Sequence, residues 1–486
     1  MRLHSWRHRS VLSAAVLAVA SGFAQFGVTA ALPDVARAFR ATAQGSSLAE
    51  QVGLSLTTIG IGLAVIRFAA LASMPLAALA DRVGRRRVVL SCCLTGLALT
   101  VMASGSPTFW WFVVVVALGR PLLSATNALA AVIAAEETRV ADRAKAIALI
   151  AAAYGFGGGL FAFVRGVSEL GFRPLFALAV VPLVTVTLIG RRLEEPERYI
   201  RLRSAESAAL VVQAESSVDC EGVRNPRGDP GNAPDDTEGP GGVLPASQGE
   251  ALRAGRGEAR MLGARMPRVF PRGPLAQAGR PRAYACWALA PELRGRLALL
   301  AGLGFFAVAF VTGPVTTLVV LYGERVLGLT RGVIAFIVLA AGPVGFGGLA
   351  VGRWAADRLG RIPTAVVAHA GIAIAGAIAY TAGPAGAIGG YLACLFAQSV
   401  AGPAIGTLAT ELFPTSSRAT AAGWLNAAGV LGAVGGLVTF GLLADAFGSF
   451  GPAALAVTIP MGLASAGYLL LPETRGLELE ESAPEP

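Results

Sequence analysis

Apolar residues run along this chain in long blocks, and short charged knots separate the blocks. Each block is about 20 residues long, enough for a helix to cross the hydrocarbon core of a bilayer. Twelve such blocks are read, at about 11–32, 54–79, 88–103, 109–133, 144–164, 174–189, 297–322, 333–352, 364–382, 387–410, 420–443 and 451–471. The pattern predicts an all-α membrane protein with six spans on each side of a long polar stretch. The expected division is a six-helix half over 1–190, a linker over 191–296, and a second six-helix half with a short tail over 297–486. The basic residues of 1–10 lead into an apolar run, as in a signal peptide. That run continues to Leu32, so it reads as a first spanning helix.

The charged knots repeat. Asp81-Arg82-Val83-Gly84-Arg85-Arg86 lies between the second and third blocks, and Asp357-Arg358-Leu359-Gly360-Arg361 between the eighth and ninth. The two aspartates are 276 residues apart. Glu136 and Arg143 recur as Glu411 and Arg418 at an offset of 275, and Pro196-Glu197 recurs as Pro472-Glu473 at 276. Unrelated landmarks sharing one offset indicate duplication of a whole half. The fold expected is therefore two pseudo-symmetric six-helix bundles.

D-R-x-G-R-R between the second and third spans resembles the loop signature of the major facilitator superfamily. The resemblance covers nearly the whole chain except its middle. It departs four residues before each Asp, where Ala77 and Arg353 stand in place of the family's Gly. Details resemble the sugar-porter and metabolite-symporter branches. Glu411-Leu412-Phe413-Pro414-Thr415-Ser416-Ser417-Arg418, with Gly402-Pro403 before it, is similar to their E-x-F-P-x-x-x-R. Leu471-Pro472-Glu473-Thr474-Arg475-Gly476 resembles their P-E-T-K-G, and Glu195-Pro196-Glu197-Arg198-Tyr199 a degraded P-E-S-P-R.

The resemblance implies a secondary transporter of a small organic solute, working by alternating access at a site between the halves. It also implies a cytoplasmic gate built from Asp81, Arg82, Gly84, Arg85, Arg86, Glu136, Arg143, Asp357, Arg358, Gly360, Arg361, Glu411 and Arg418. Their salt bridges would hold the halves together while the outside is open and break when the inside opens. A proton or another ion is the candidate coupling partner, and a monomer in the plasma (inner) membrane is expected. The porters' sugar-contacting residues do not carry over: Ile405 and Gly406 stand for their Pro and Trp, and Gly302-Leu303-Gly304-Phe305-Phe306 lacks their paired glutamines. One alternative is a drug-type effluxer, although Gly157-Gly158-Gly159 does not supply the Gly-Pro of the antiporter signature. Another is a non-transporting sensor that signals through the middle loop.

Composition agrees with a membrane solvent: 54% of residues are hydrophobic, 14% are charged, and the mean hydropathy is +0.63. A net charge of +10 would suit nucleic acid, but the arginines sit in loops between apolar spans. One set of loops holds Arg82, Arg85, Arg86, Arg87, Arg139, Arg143, Lys145, Arg353, Arg358, Arg361 and Arg418. The opposite loops hold fewer: Arg37, Arg40, Arg165, Arg173, Arg325 and Arg331. The richer side is assigned to the cytoplasm, with both termini and the middle loop. The Pro-, Gly- and Arg-rich middle cannot bury a core and reads as a disordered tether. Small residues four apart, Gly155/Gly159, Gly348/Gly352, Gly402/Gly406 and Gly432/Gly436, predict close helix packing. The run from Gly155 to Gly159 lies inside an apolar helix and so is not a phosphate loop. The five cysteines form no framework. No metal cluster, nucleophile–base pair or Walker loop is found, so no metal, cofactor or enzyme activity is expected.

Two residues break the apolar pattern at depth: Arg67 in the middle of the second span and Arg120 in the middle of the fourth. Charge at mid-bilayer is costly and faces the interior. No Asp or Glu stands at matching depth, since Asp34 lies at the outer end of the first span. Guanidinium groups bind carboxylate or phosphate through two parallel bonds, so an anionic cargo is one reading. The other is that helix carbonyls, Asn127 or Gln25 satisfy each Arg. The remaining cavity candidates are Gln25, Asn127, Tyr154, Thr316, Thr317, Gln398 and Asn426, any of which could instead be a helix–helix hydrogen bond. His369 is read as structural.

Overall fold

The computed structural model describes residues 8–40, 47–190, 291–476 and 483. The side chains of Asp81, Arg82 and Arg143 fall outside that description, as does the expected linker as far as residue 290. Among the described residues, twelve helices are long and apolar enough to cross a membrane. Spans 1 to 6 are Arg9–Ala30, Leu56–Ala80, Arg85–Ala103, Phe109–Glu137, Lys145–Val167 and Phe172–Gly190. Spans 7 to 12 are Leu293–Arg325, Arg331–Arg358, Arg361–Thr381, Gly383–Glu411, Thr420–Phe447 and Phe450–Leu470. Several outrun the apolar blocks that announced them. Span 8 extends to Arg358, and the helix of span 7 starts at Pro291. The added turns are polar, so hydropathy does not register them.

Proline explains two internal breaks. Span 2 passes through a 3-10 turn at Ala70–Ala72 before resuming at Ser73–Val83, which contains Pro75. Span 6 divides into Phe172–Ala177 and Val180–Gly190. Pro182 has no N–H for the Leu178 carbonyl, and the Val181 amide takes that carbonyl instead at 2.9 Å. Span 7 carries a π-helical stretch at Ala301–Ala307. It leans against span 11, where a Cβ on Gly432 would lie 2.2 Å from the Phe306 carbonyl oxygen.

Glycine lets the helices close on one another, as two of the four expected pairs show. Gly348 and Gly352 admit the backbones of Phe396 and Val400 between spans 8 and 10, and Gly432 and Gly436 admit those of Phe306 and Phe310. In span 5 the close approach falls on Gly157 against Val19 rather than on Gly155, which faces open space. Gly402 and Gly406 make no close backbone contact.

The duplication is visible in the turns. Gly84 and Gly360 hold φ of 118° and 113°, and each precedes the helix that follows its signature loop. That end of the bundle is termed the signature end, and the opposite one the far end. The two sets of six spans meet tightly at the far end. Gly60 of span 2 abuts the Leu437 carbonyl of span 11, Gly441 abuts that of Leu56, and Gly166 of span 5 abuts Ala335 of span 8.

Candidate functional site

Arg67 lies in span 2 just before its 3-10 turn and is half-buried. Its Nη2 donates to the Thr317 hydroxyl of span 7 at 3.3 Å. The bond crosses from the first set of six spans to the second. Arg120 of span 4 and the Tyr154 phenol of span 5 lie within electrostatic range of Arg67. The Nε of Arg120 is buried without a hydrogen-bond partner, as is Oδ1 of Asn127, seven residues further along span 4. Among the described residues, neither Arg67 nor Arg120 has a carboxylate partner. Two like charges thus share one half-buried region with unfilled hydrogen-bonding capacity.

The other candidates separate into two groups. Gln25 is used up by helix packing: it donates to Ser21 at 2.8 Å and accepts from Ser124 at 3.4 Å, while Ser21 donates to the Leu123 carbonyl. It ties span 1 to span 4. Gln398 similarly ties span 10 to span 7 through Thr312 at 3.4 Å, and Thr316 bonds back to its own helix. Tyr154 stacks at a tilt against Phe26, 5.3 Å between centroids. Asn426 is exposed on span 11, and His369 is fully buried against the Tyr468 ring.

At the signature end two described ion pairs join gate candidates, each within one half. Arg85 of span 3 forms an ion pair with Glu136 of span 4, and Arg361 of span 9 pairs with Glu411 of span 10 at 3.2 Å. Arg86 reaches the Gly190 carbonyl at 3.4 Å. Thr474 donates to the same Glu411. The Glu473 carboxylate accepts the Arg361 and Ile362 amides at 2.9 Å each, capping span 9. Arg418 donates to the Thr410 and Phe413 carbonyls at the end of span 10. Asp357 and Arg358 are exposed, with the Arg358 guanidinium 5.9 Å from the Trp354 ring centre.

The far end holds a cluster that the sequence left scattered among loop charges. Arg165 is 2% exposed, Asp34 3% and Glu324 8%. Arg165 donates to Asp34 and to Glu324, both at 2.6 Å. Arg331 donates to Asp34 at 2.7 Å, and its Nε lies 3.9 Å from Glu324. It also reaches the Ser168 and Leu170 carbonyls at 3.2 and 3.3 Å. Nearby, the Asp445 carboxylate of span 11 accepts the Leu56 and Thr57 amides at the start of span 2, at 2.9 and 2.8 Å. The legible signal was the presence of both charge signs at the far ends of spans 1, 5, 7 and 8.

Comparison with known proteins places this architecture. The chain is similar to the xylose transporter XylE from E. coli in its inward-open conformation, at 17% identity and a TM-score of 0.65, over 97% of this chain and 98% of that one. It is similar to a bacterial homolog of the human lysosomal transporter Spinster, inward-facing, at 16% identity and 0.57, over 96% and 92%. A point mutant of the nucleoside transporter NupG aligns at 11% identity and 0.60, over 95% and 98%. No curated protein sequence matches the chain. A family model described as Major Facilitator Superfamily matches residues 14–402. With twelve spans, duplicated signature loops and that match across most of its length, the chain belongs to the Major Facilitator Superfamily and is a secondary transporter, not an enzyme.

Proposed function

We propose that this transporter moves a small organic anion across the plasma (inner) membrane, with the signature end, both termini and the 191–296 linker on the cytoplasmic side. The observation that carries the reading is Arg67. It stands mid-membrane beside Arg120, bonded among the described residues only to a neutral hydroxyl of the opposite half. An uncompensated guanidinium at that depth costs at least about 2.5 kcal/mol on insertion scales. A carboxylate or phosphate between the two arginines would offset that cost, and it would contact both halves at once. The unpartnered Arg120 Nε adds a donor at that site, and Asn127 Oδ1 offers an unpartnered acceptor about two helical turns along span 4. Gln25 and Gln398, which a neutral sugar would need, are already engaged in helix contacts.

The conformation fits the role. The halves meet at the far end, while the described ion pairs of the signature end stay within each half. Neighbours of this fold bear inward-open or inward-facing descriptions, and one is described as a D-xylose-proton symporter. These support a cytoplasm-facing state and a proton as coupling ion.

The test is uptake of radiolabelled mono- and dicarboxylates, a phosphate ester, a neutral sugar and a lipophilic cation into proteoliposomes, with native protein and Arg67→Gln. The expected result is uptake of an anion, and Arg67→Gln weakening it about tenfold or more through loss of a charge-assisted contact. Transport of the sugar or the cation with unchanged affinity in Arg67→Gln would refute the anion reading. Binding without flux would favour a sensor.

A further inference from the structure

Arg165 is among the largest fully buried side chains of the protein, and it lies at the far end rather than at the proposed substrate site. It belongs to a set of four joined by ion pairs, with the Arg325 guanidinium within electrostatic range of both its carboxylates. Asp34 and Arg165 come from the first six spans, and Glu324 and Arg331 from the last six. Each half therefore contributes one carboxylate and one guanidinium, and the set is electrically neutral as a whole and within each half. Two contacts lie within halves: Arg165–Asp34 at 2.6 Å and Arg331–Glu324 at 3.9 Å. Two cross between them: Arg165–Glu324 at 2.6 Å and Arg331–Asp34 at 2.7 Å.

We propose that these four residues form the far-end gate of the transport cycle, and that it opens by exchange of partners. When the halves part, both crossing ion pairs break, as do the Arg331 bonds to the Ser168 and Leu170 carbonyls. Arg165 keeps Asp34, and Arg331 closes its 3.9 Å gap onto Glu324. No charge is left without a counter-ion in either state. A buried pair that simply split would strand one charge on each side, which is strongly unfavourable when the partner is lost. Exchange avoids that penalty, so the same four charges permit both a sealed and an open far end. At the signature end the two described ion pairs have this within-half form, Arg85–Glu136 in one half and Arg361–Glu411 in the other.

The gate has a consequence that an ordinary latch lacks. Neutralising one acid and one base leaves the net charge unchanged, but the effect depends on which two are chosen. Asp34→Asn with Arg165→Gln removes both crossing ion pairs and leaves the Glu324–Arg331 pair, which is neutral whether open or closed. Arg165→Gln with Glu324→Gln leaves the crossing bond Arg331–Asp34. Opening would then strand Asp34 on one half and Arg331 on the other. The first double variant should open the far end and the second should hold it shut.

The experiment measures spacing between spin labels at Gly105→Cys and Ala382→Cys, in the far-end loops of the two halves, in a cysteine-free full-length background in lipid. The expected result is a several-fold larger widely spaced population in the within-half variant than in native protein, and a smaller one in the cross-half variant. Shifts in the same direction, or none in either, would overturn partner exchange. Because Arg165 is so deeply buried, a second set gives the same contrast with Arg165 intact. It compares Glu324→Gln/Arg331→Gln, the within-half pair, with Asp34→Asn/Arg331→Gln, the cross-half pair. Both lose the Arg331 bonds to Ser168 and Leu170, so that loss cancels. The within-half variant should again be the more open of the two, and equal spacing would again reject the proposal.

Discussion

Arg67 and Arg165 are the same side chain in the same twelve-span bundle, in opposite surroundings. Arg165 is neutralised by two carboxylates at 2.6 Å, whereas Arg67, among the described residues, has a single hydroxyl at 3.3 Å. A guanidinium satisfied by buried carboxylates serves structure or gating, and one with spare donors can serve a ligand. The sequence showed Arg67 and Arg120 because charge inside an apolar run is conspicuous. It hid Arg165 at the edge of a span, where it looks like one more loop charge. Its partners Asp34 and Glu324 are 131 and 159 positions away, so no local pattern joins them. Gln25 shows the reverse error of emphasis: a polar residue in a span looked available, yet both ends of its amide are used by Ser21 and Ser124. If one anion is held by both Arg67 and Arg120, their contributions are not independent. Arg67→Gln and Arg120→Gln should each weaken binding by about 1.5–3 kcal/mol. The double variant should fall short of the sum by about 0.5–3 kcal/mol. Calorimetric titration of the four proteins with the transported anion measures this coupling. Strict additivity would place the two arginines at separate sites.

At the scale of the helix, hydropathy located all twelve spans because a bilayer tolerates only segments whose backbone bonds are satisfied internally. Span ends were less legible, since the polar last turns of spans 4 and 8 carry no hydropathy signal. Pro75 and Pro182 marked the breaks in spans 2 and 6. The π-helical stretch of span 7 had no such marker, because it goes with the close approach of span 11 at Gly432 rather than with a proline of its own. Some caps are local, as Ser55, Thr108 and Thr330 show, but others are as non-local as that. Asp445 closes the start of span 2 from 389 positions away. A carboxylate at a helix N-terminus meets both unpaired amides and the positive end of the helix dipole. This cap is also a fastening between halves, since span 2 and span 11 belong to different ones. Asp445→Asn keeps an acceptor for one amide but loses the charge. Far-end closure should weaken by about 0.5–2 kcal/mol, the usual worth of a cap. The Gly105–Ala382 label spacing should then shift toward the open population, while anion affinity in the closed-far-end state stays as in native protein. An unchanged spacing would mean that Asp445 only stabilises span 2.

At the scale of the whole molecule, the duplication at 276 residues and the loop arginines together predict how the bundle sits in its membrane. Arginine and lysine concentrate on the loops that carry both D-R-x-G-R motifs, and the asymmetry predicts that these loops are cytoplasmic, because positively charged loops resist translocation. The structure sharpens where to test this. Ser106 lies in the far-end loop between spans 3 and 4, but it is fully buried and its carbonyl accepts the Arg173 guanidinium at 3.1 Å. Gly105 beside it is exposed, and a Cβ there meets only the Met102 carbonyl oxygen at 3.6 Å. Single cysteines at Gly105 and at Ser217 of the linker, in a cysteine-free background, should therefore label from opposite sides. A membrane-impermeant maleimide on intact cells should modify Gly105→Cys and spare Ser217→Cys until the cells are permeabilised. Because the linker joins spans 6 and 7, an even number of crossings keeps it on the side of both termini. Labelling of Ser217→Cys in intact cells would invert the whole bundle and put the Asp34–Arg165–Glu324–Arg331 cluster on the cytoplasmic face. The closed end of the protein would then be its inner end.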